Sequence, residues 1–302
     1  MRLLLVDGHY YLYRSFFAIR GLSNSRGEPT NAIYGFAKAL RKMLVDLRPD
    51  RAAVIWDCGL PARRVALQPA YKQNRSEMPD DLRPQETWLQ DKVSLFGPAS
   101  LCSPDTEADD LIASYACTAA REGADIVIAT NDKDILQLAA ENIRIYSTAK
   151  ADAGDQGFAL LGTTEVRTKW GVDPARIADV LALTGDTSDN IPGVPGFGTK
   201  TAASLINRHG SLDTILAATS SIENPRLREK IESSLALIRD NREMVRLDTD
   251  LPLPVPWTEL RITPRYPDLL AALRACEFRS LVSEIEKEAA AANAGAQGDL
   301  FA

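Results

Sequence analysis

Histidine is nearly missing from this chain: only His9 and His209 occur among 302 residues. The four cysteines, Cys58, Cys102, Cys117 and Cys276, are scattered and form no CxxC pair. These shortages argue against a zinc site and against a disulfide framework. They fit a reducing, cytosolic setting. Long apolar runs are lacking as well. Leu3-Leu4-Leu5-Val6 is broken by Asp7, so the start is too short for a signal peptide or a membrane span. A cytoplasmic protein with no membrane partner is expected. An excess of basic charge is also absent. The net charge of −6 speaks at first against nucleic acid. That sum hides a local excess, because acids outnumber basic residues only 41 to 35. Once the acids of one candidate metal cluster are set aside, the remainder is mildly basic.

What is present suffices for a large core and about two domains: 45% of the residues are hydrophobic and 25% charged. Arg2 to Val6 reads as a buried strand ended by Asp7, and Tyr10 to Phe17 as a helix carrying Arg14. Asn31 to Leu47 places Ile33, Phe36, Ala37, Leu40, Leu44 and Leu47 on one helical face. Ala52 to Trp56 is a second strand, again ended by a carboxylate, Asp57. A basic, Pro-interrupted segment follows with Arg63, Arg64, Tyr71, Lys72 and Arg75. Leu82 to Leu95 returns to helix, and Leu101-Cys102 to a short strand. Glu107, Asp109 and Asp110 open the next helix. Asp125 to Ala129 is a strand with Asp132 and Asp134 just beyond it. Ile135 to Ala140 reads as helix and Arg144 to Tyr146 as strand. This alternation predicts a mainly parallel sheet with helices on both faces. After a polar joint the pattern turns helical, with Pro225 to Leu247 and Asp268 to Glu288 among the expected helices. The expected organisation is a first domain over 1–162, a helical domain over 163–288 and a flexible tail over 289–302.

Carboxylates recur where open α/β sheets place ligands: Asp7, Asp57, Glu107, Asp109, Asp110, Asp132 and Asp134, joined later by Asp186 and Asp189. Thr106 and Asp109 fit a capping box, and first-turn acids suit a helix dipole. Three acids within four residues nevertheless exceed what a cap needs. All-oxygen ligation points to a hard ion, Mg²⁺ or Mn²⁺. So many acids fit a pair of ions about 4 Å apart better than one. After Asp189, a Gly/Pro hairpin feeds a helix at Thr199 or Lys200. Gly193, Gly196 and Gly198 let backbone approach a ligand there, and a helix N-terminus beside Lys200 suits a phosphate.

The stretches Leu5-Val6-Asp7-Gly8, Tyr13-Arg14, Tyr71-Lys72-Gln73-Asn74-Arg75, Glu107-Ala108-Asp109-Asp110, Asp132-Lys133-Asp134 and Gly185 to Gly196 resemble the bacterial 5′–3′ exonuclease and flap endonuclease family. The resemblance implies a PIN-like α/β nuclease fold followed by a helix–three-turn–helix DNA-binding part. It implies that the nine acids hold two Mg²⁺ or Mn²⁺ ions. Lys72, Arg75 and Arg14 would contact the scissile phosphate, and Tyr71 would stack on DNA. An arch over about 63–81, with Arg64, would pass a single-stranded 5′ end. Gly193, Val194, Gly196, Gly198 and Lys200 would grip duplex backbone, with a potassium ion at the hairpin. The implied substrates are DNA with 5′ flaps, nicks or gaps, and RNA primers, cut by a monomer in replication and repair. Asn131 departs from a usual Gly, Arg63 from a common aromatic, and Asp105-Thr106 from a usual Gly-aromatic pair. Gln297, Leu300 and Phe301 look like a sliding-clamp peptide on a tether. Two other readings stay open: a non-catalytic, structure-specific DNA-binding protein, and an RNA-degrading toxin of the PIN class.

Overall fold

The computed structural model describes residues 1–149, 152 and 157–299, the last seven by backbone course alone. Among them the strands are β1 (Arg2–Asp7), β2 (Arg51–Ile55), β3 (Ala99–Leu101), β4 (Asp125–Ala129), β5 (Ile143–Ser147) and β6 (Ala159–Leu161). The α-helices are α1 (Gly8–Ala18), α2 (Asn31–Leu47), α3 (Ala62–Leu67), α4 (Arg83–Lys92), α5 (Ala108–Arg121), α6 (Thr163–Trp170), α7 (Ile177–Thr184), α8 (Thr199–His209), α9 (Leu212–Ala217), α10 (Pro225–Ser233), α11 (Leu235–Val245), α12 (Tyr266–Ala275) and α13 (Arg279–Asp299). They form two compact units, each assembled from discontinuous stretches: Met1–Trp56, Met78–Leu101 and Pro254–Ala302 in one, Asp57–Glu77 and Cys102–Leu253 in the other.

In the first unit β1 pairs in parallel with β2, and β2 with β3. Leu3, Leu4, Leu5 and Val6 are fully buried, as expected of a strand covered on both faces. Asp7 ends β1 and caps α1, accepting the amide of Tyr10 at 2.9 Å. The α2 stripe buries Ile33, Phe36, Ala37, Leu40 and Leu47, with Met43 rather than Leu44 completing it. Arg48 closes α2 in the left-handed conformation one residue before Pro49. Buried Gln85 accepts the amides of Ala32 at 2.7 Å and Ile33 at 3.3 Å, so its side chain serves as the cap that Thr30 does not supply. The helix expected over Asp268 to Glu288 is two helices, broken at Glu277 (φ 61°). Its second part runs to Asp299, because an Ala/Glu-rich stretch favours helix where a loose tail was expected. Leu300 and Phe301 lie outside the described residues.

In the second unit β4 and β5 are parallel and β6 joins β5 antiparallel. The mainly parallel, helix-flanked PIN-like pattern is therefore present, followed by consecutive helices from α6 to α11. Pro225 to Leu247 divides at Ser234 into α10 and α11. One side chain of α11, buried Asn241, donates to Ala182 O at 3.1 Å and Pro192 O at 2.7 Å, tying α7 to the hairpin. One expectation fails here. Cys58 and Cys102 form a disulfide, with Cα atoms 5.8 Å apart. A separation of 44 residues gives no local signature, but the two follow closely on the ends of paired strands β2 and β3. No helix among the described residues is long and apolar enough to cross a membrane.

Candidate metal centre

Apart from Asp7, every acid singled out in the sequence belongs to the second unit; Asp7 and Arg14 lie in the first. The start of α5 has no capping box: Thr106 Oγ1 donates to Pro104 O, and no side chain caps the helix at Glu107. Asp57 instead takes the amide of Ala108 at 2.8 Å, and Asp109 that of Asp110 at 2.7 Å. The acids are thus arranged around the helix start rather than consumed by it. Glu107, Asp109 and Asp110 each offer an oxygen, and these oxygens lie within 4.8 Å of one another. A second group, Asp134, Asp186 and Asp189, meets the same limit with all three residues buried. Asp132 is linked to the second group, since its Oδ1 accepts the amide of Asp134 at 3.0 Å. Asp186 caps the 3-10 turn Thr187–Asp189 by accepting Ser188 N at 3.0 Å.

Five side chains answer this charge. Arg64, only 1% exposed, donates to both oxygens of Asp110 at 2.7 and 2.9 Å, to Glu107, and to Arg246 O at 3.0 Å. Lys72 donates to Glu107 and stands 3.7 Å from Asp189. Tyr71 donates its hydroxyl toward Glu107 at 3.1 Å, and Arg75 reaches Asp189 at 2.6 Å. Lys133 binds Asp186 at 2.6 Å. Arg64 and Tyr71, expected at DNA, are both buried and turned to these acids, Tyr71 being 4% exposed. Their polar ends are drawn inward because unpaired buried acids are more costly than solvated arch residues. Lys133 was missed; a lysine flanked by aspartates on both sides was the available signal.

The titration directions agree with this crowding. Burial, then Asp110, pushes Asp109 well above the usual carboxylate range. Burial and the neighbouring Asp132, Asp186 and Asp189 do the same to Asp134. Burial also raises Asp132 and, against the pull of Arg64, Asp110. Asp186 is the opposite case: burial pushes it up, but the bonds from Lys133 and Ser188 outweigh that and hold it low. Lys72 keeps its proton, since Asp189 and Glu107 outweigh its desolvation. One atom stands out: Asp134 Oδ1 is buried and has no hydrogen-bond partner. A buried carboxylate oxygen without a donor is unfavourable unless a cation completes it. The all-oxygen donor set and this orphaned atom fit a hard divalent ion.

The hairpin is built by two close backbone approaches. A Cβ on Gly193 would meet Thr184 O at 2.1 Å, and one on Gly185 (φ +70°) would meet Gly193 N at 2.3 Å. Gly193 therefore makes room for the protein's own backbone, not for a ligand. Val194 is likewise buried, its amide donating to Leu183 O at 2.8 Å. Gly196, Gly198 and Lys200 are exposed. No side chain caps α8 at Gly198, so its first amides remain available to an anion. An open groove of about 780 Å³ beside it is lined by Lys169, Trp170, Thr199, Lys200 and Asn207. Gly193→Ala is expected to destabilise the chain by more than about 2 kcal/mol, because neither backbone strand can yield without losing its bonds. Thermal or urea unfolding reads this directly; Gly198→Ala, with nothing within 4 Å of its Cβ position, serves as the neutral control.

Comparison with known proteins places these features in context. Residues 2–171 match the family model described as 5′-3′ exonuclease, N-terminal resolvase-like domain. Residues 172–268 match 5′-3′ exonuclease, C-terminal SAM fold. A thermostable DNA polymerase I of Thermus thermophilus is 40% identical over 94% of this chain. The chain spans only 33% of that relative's length. A 5′-3′ exonuclease of Aquifex aeolicus is 35% identical, with 94% of this chain and 95% of the relative covered. Among solved structures, a bacteriophage T5 flap endonuclease in a pseudo-enzyme–product complex with DNA and metal ions superposes with a TM-score of 0.64. It is 19% identical, and the match covers 95% of this chain and all of that one, so the likeness is one of fold.

Proposed function

The chain belongs to the 5′–3′ exonuclease family, and from that premise we propose that it is a metal-dependent nuclease that cuts 5′ flaps and trims 5′ ends of DNA and RNA primers. The observation that carries this reading is two acid groups, in each of which the oxygens lie within 4.8 Å of one another, one of them holding an orphaned buried oxygen. Two Mg²⁺ or Mn²⁺ ions are the cofactor that suits such a set. Asp109, Asp110, Asp132, Asp134, Asp186 and Asp189 would hold them with Glu107, and Asp57 would orient the start of α5. When bound, the ions supply Lewis-acid stabilisation of the phosphoryl oxygens and lower the pKa of water.

The chain's own side chains do the rest. Lys72 and Arg75 are presented on one segment, and both now rest on carboxylates. Their charge would pass to the scissile phosphate when DNA arrives, and the carboxylates they leave would be neutralised by the bound ions. The exposed amides of α8, with Lys200, Gly196 and Gly198, hold duplex backbone, and a potassium ion suits the hairpin carbonyls. In this reading residues 1–162 cut and residues 163–288 grip duplex, as a monomer in the cytoplasm. The deciding experiment is a labelled 5′-flap duplex with Mg²⁺, with and without chelator, mapping the cut. Cleavage near the junction that chelator abolishes is expected. Tight flap binding with no chelator-sensitive cleavage would instead favour a non-catalytic DNA-binding protein.

A further inference from the structure

The bridge between Cys58 and Cys102 stands beside the acids that open α5. Cys58 follows Asp57 directly, and Cys102 begins the stretch that leads to Glu107. The two stretches are tied together: the amide of Cys58 donates to Thr106 O at 3.0 Å, and that of Asp105 donates to Cys58 O at 3.0 Å. Next to these bonds Asp57 accepts the amide of Ala108 at 2.8 Å and so holds the start of α5. Asp105 lies in the left-handed region (φ 54°), a conformation that a residue other than glycine adopts at some cost. The bridge helps to impose it, since it closes the stretch 102–107 on the one carrying Asp57. It is also open to attack, with Cys102 exposed and Cys58 half-buried. The other two thiols are poor competitors for exchange: burial pushes Cys276 up to about 11 and raises Cys117 as well.

Resting on the nuclease reading above, we propose that Cys58–Cys102 is a reversible redox site that reacts with dithiol reductants, and that its reduction weakens divalent-ion binding at Glu107, Asp109 and Asp110. A thiolate of the dithiol attacks the exposed Cys102 Sγ, and Cys58 leaves as a thiolate that takes a proton. The second thiol of the reductant then attacks the mixed disulfide and releases Cys102 as a thiol. Two electrons and two protons have passed to the protein, and the dithiol has become a disulfide. Exchange with a small disulfide runs the same steps in reverse. Without the bridge the stretch 102–107 is tied to Cys58 by backbone bonds alone, and Asp105 is free to leave its strained conformation. The oxygens of Glu107, Asp109 and Asp110 then lose part of their fixed spacing, and a set that must be re-ordered on binding holds an ion less tightly. Exposed disulfides are the labile, regulatory kind, and bridges in a reducing compartment mostly sense redox state.

The test uses the full chain, oxidised with the disulfide form of glutathione or reduced with dithiothreitol, then desalted without air. Thiol counts in denaturant mark the two forms, two free thiols in the oxidised chain and four in the reduced one. Mn²⁺ binding to each is measured by calorimetry. The reduced chain is expected to bind the same number of ions about tenfold more weakly, within the range that outer partners of metal ligands are worth. Reoxidation should restore the affinity. Cys58→Ser combined with Cys102→Ser should bind as the reduced chain does and ignore the reductant, whereas Cys117→Ser should respond as the native chain does. Equal affinity in the two native forms overturns the proposal, whatever happens to the melting temperature, because the bridge is then a staple only. Four free thiols after the oxidising treatment overturn it too, as does a response that survives in the double variant or is lost in Cys117→Ser. Loss of the fold on reduction, read by circular dichroism, also makes the bridge a staple. The native comparison decides even if the double variant does not fold. A chain that binds no Mn²⁺ in either form sinks the nuclease reading itself and the proposal with it, a failure distinct from the others.

Discussion

Asp134→Asn is expected to stabilise the metal-free protein while abolishing nuclease activity. The native residue buries a carboxylate oxygen that has no donor, among Asp132, Asp186 and Asp189. Replacing it removes an uncompensated charge, and relief of about 1–3 kcal/mol is the usual scale for one unsatisfied buried polar group. In activity the sign reverses. Loss of a direct ligand should reduce turnover by more than about 100-fold, since even outer partners of metal ligands are worth 10–100-fold. The pH dependence follows from the same charges. Asp109, Asp110, Asp132 and Asp134 have folded values raised above the ordinary 3.8. Stability that depends on their protonated forms is fully present below pH 3.8 and is lost as pH rises through the raised values. Asp186, with a lowered value, opposes this: its contribution is present above 3.8 and lost as pH falls through its own value. Within the cluster Asp109 and Asp134, raised well above the ordinary value, oppose the lowered Asp186, so the cluster's own contribution to metal-free stability should be smaller at neutral pH than at mildly acid pH, read as the difference between native chain and Asp134→Asn. Mg²⁺ should reverse that trend, because metal binding favours the deprotonated acids. Asp134→Asn should flatten the metal-free trend. Melting curves against pH, with and without Mg²⁺, measure all three.

Lys72→Ala is expected to slow cleavage by about 100–1,000-fold, the range for removing one preorganised charge at a reacting oxyanion. Flap binding should change by less than about tenfold, since one phosphate contact among many is lost. Lys72 is suited to this split. It is held in the left-handed region (φ 56°), its amide donates to Asp189 O at 3.1 Å, and its ammonium lies between Glu107 and Asp189. That placement serves a group whose partner changes from carboxylate to phosphate, not a general adhesive for DNA. Single-turnover rates set beside equilibrium binding in Ca²⁺ separate the two effects. Equal losses in both would contradict the assigned role.

The residues that were legible in sequence are those whose chemistry shows locally. Carboxylates just past apolar runs marked strand ends, and Gly185 to Gly198 marked a turn feeding a helix. What stayed hidden depends on burial and on distant partners. Arg64 and Tyr71 read as surface arch residues because their neighbours are basic and Pro-interrupted; only the fold shows that Glu107 and Asp110 draw them inside. Gly193 read as a ligand approach because a missing Cβ says that something comes close, not what, and the visitor is Thr184 O. The breaks at Ser234 and Glu277 interrupt stretches with continuous helical propensity, so tertiary packing decides them. The Cys58–Cys102 bridge spans too many residues for spacing to announce it.

At the centre of this account is the claim that buried acids of the second unit cage divalent ions rather than serving as structural charge. Titrating the metal-free chain with Mn²⁺ and counting bound ions by electron paramagnetic resonance tests it most directly, in native protein and in Asp134→Asn. Two tightly bound ions in the native chain and fewer in the variant are predicted. Equal counts in both, or no saturable binding in either, would contradict it.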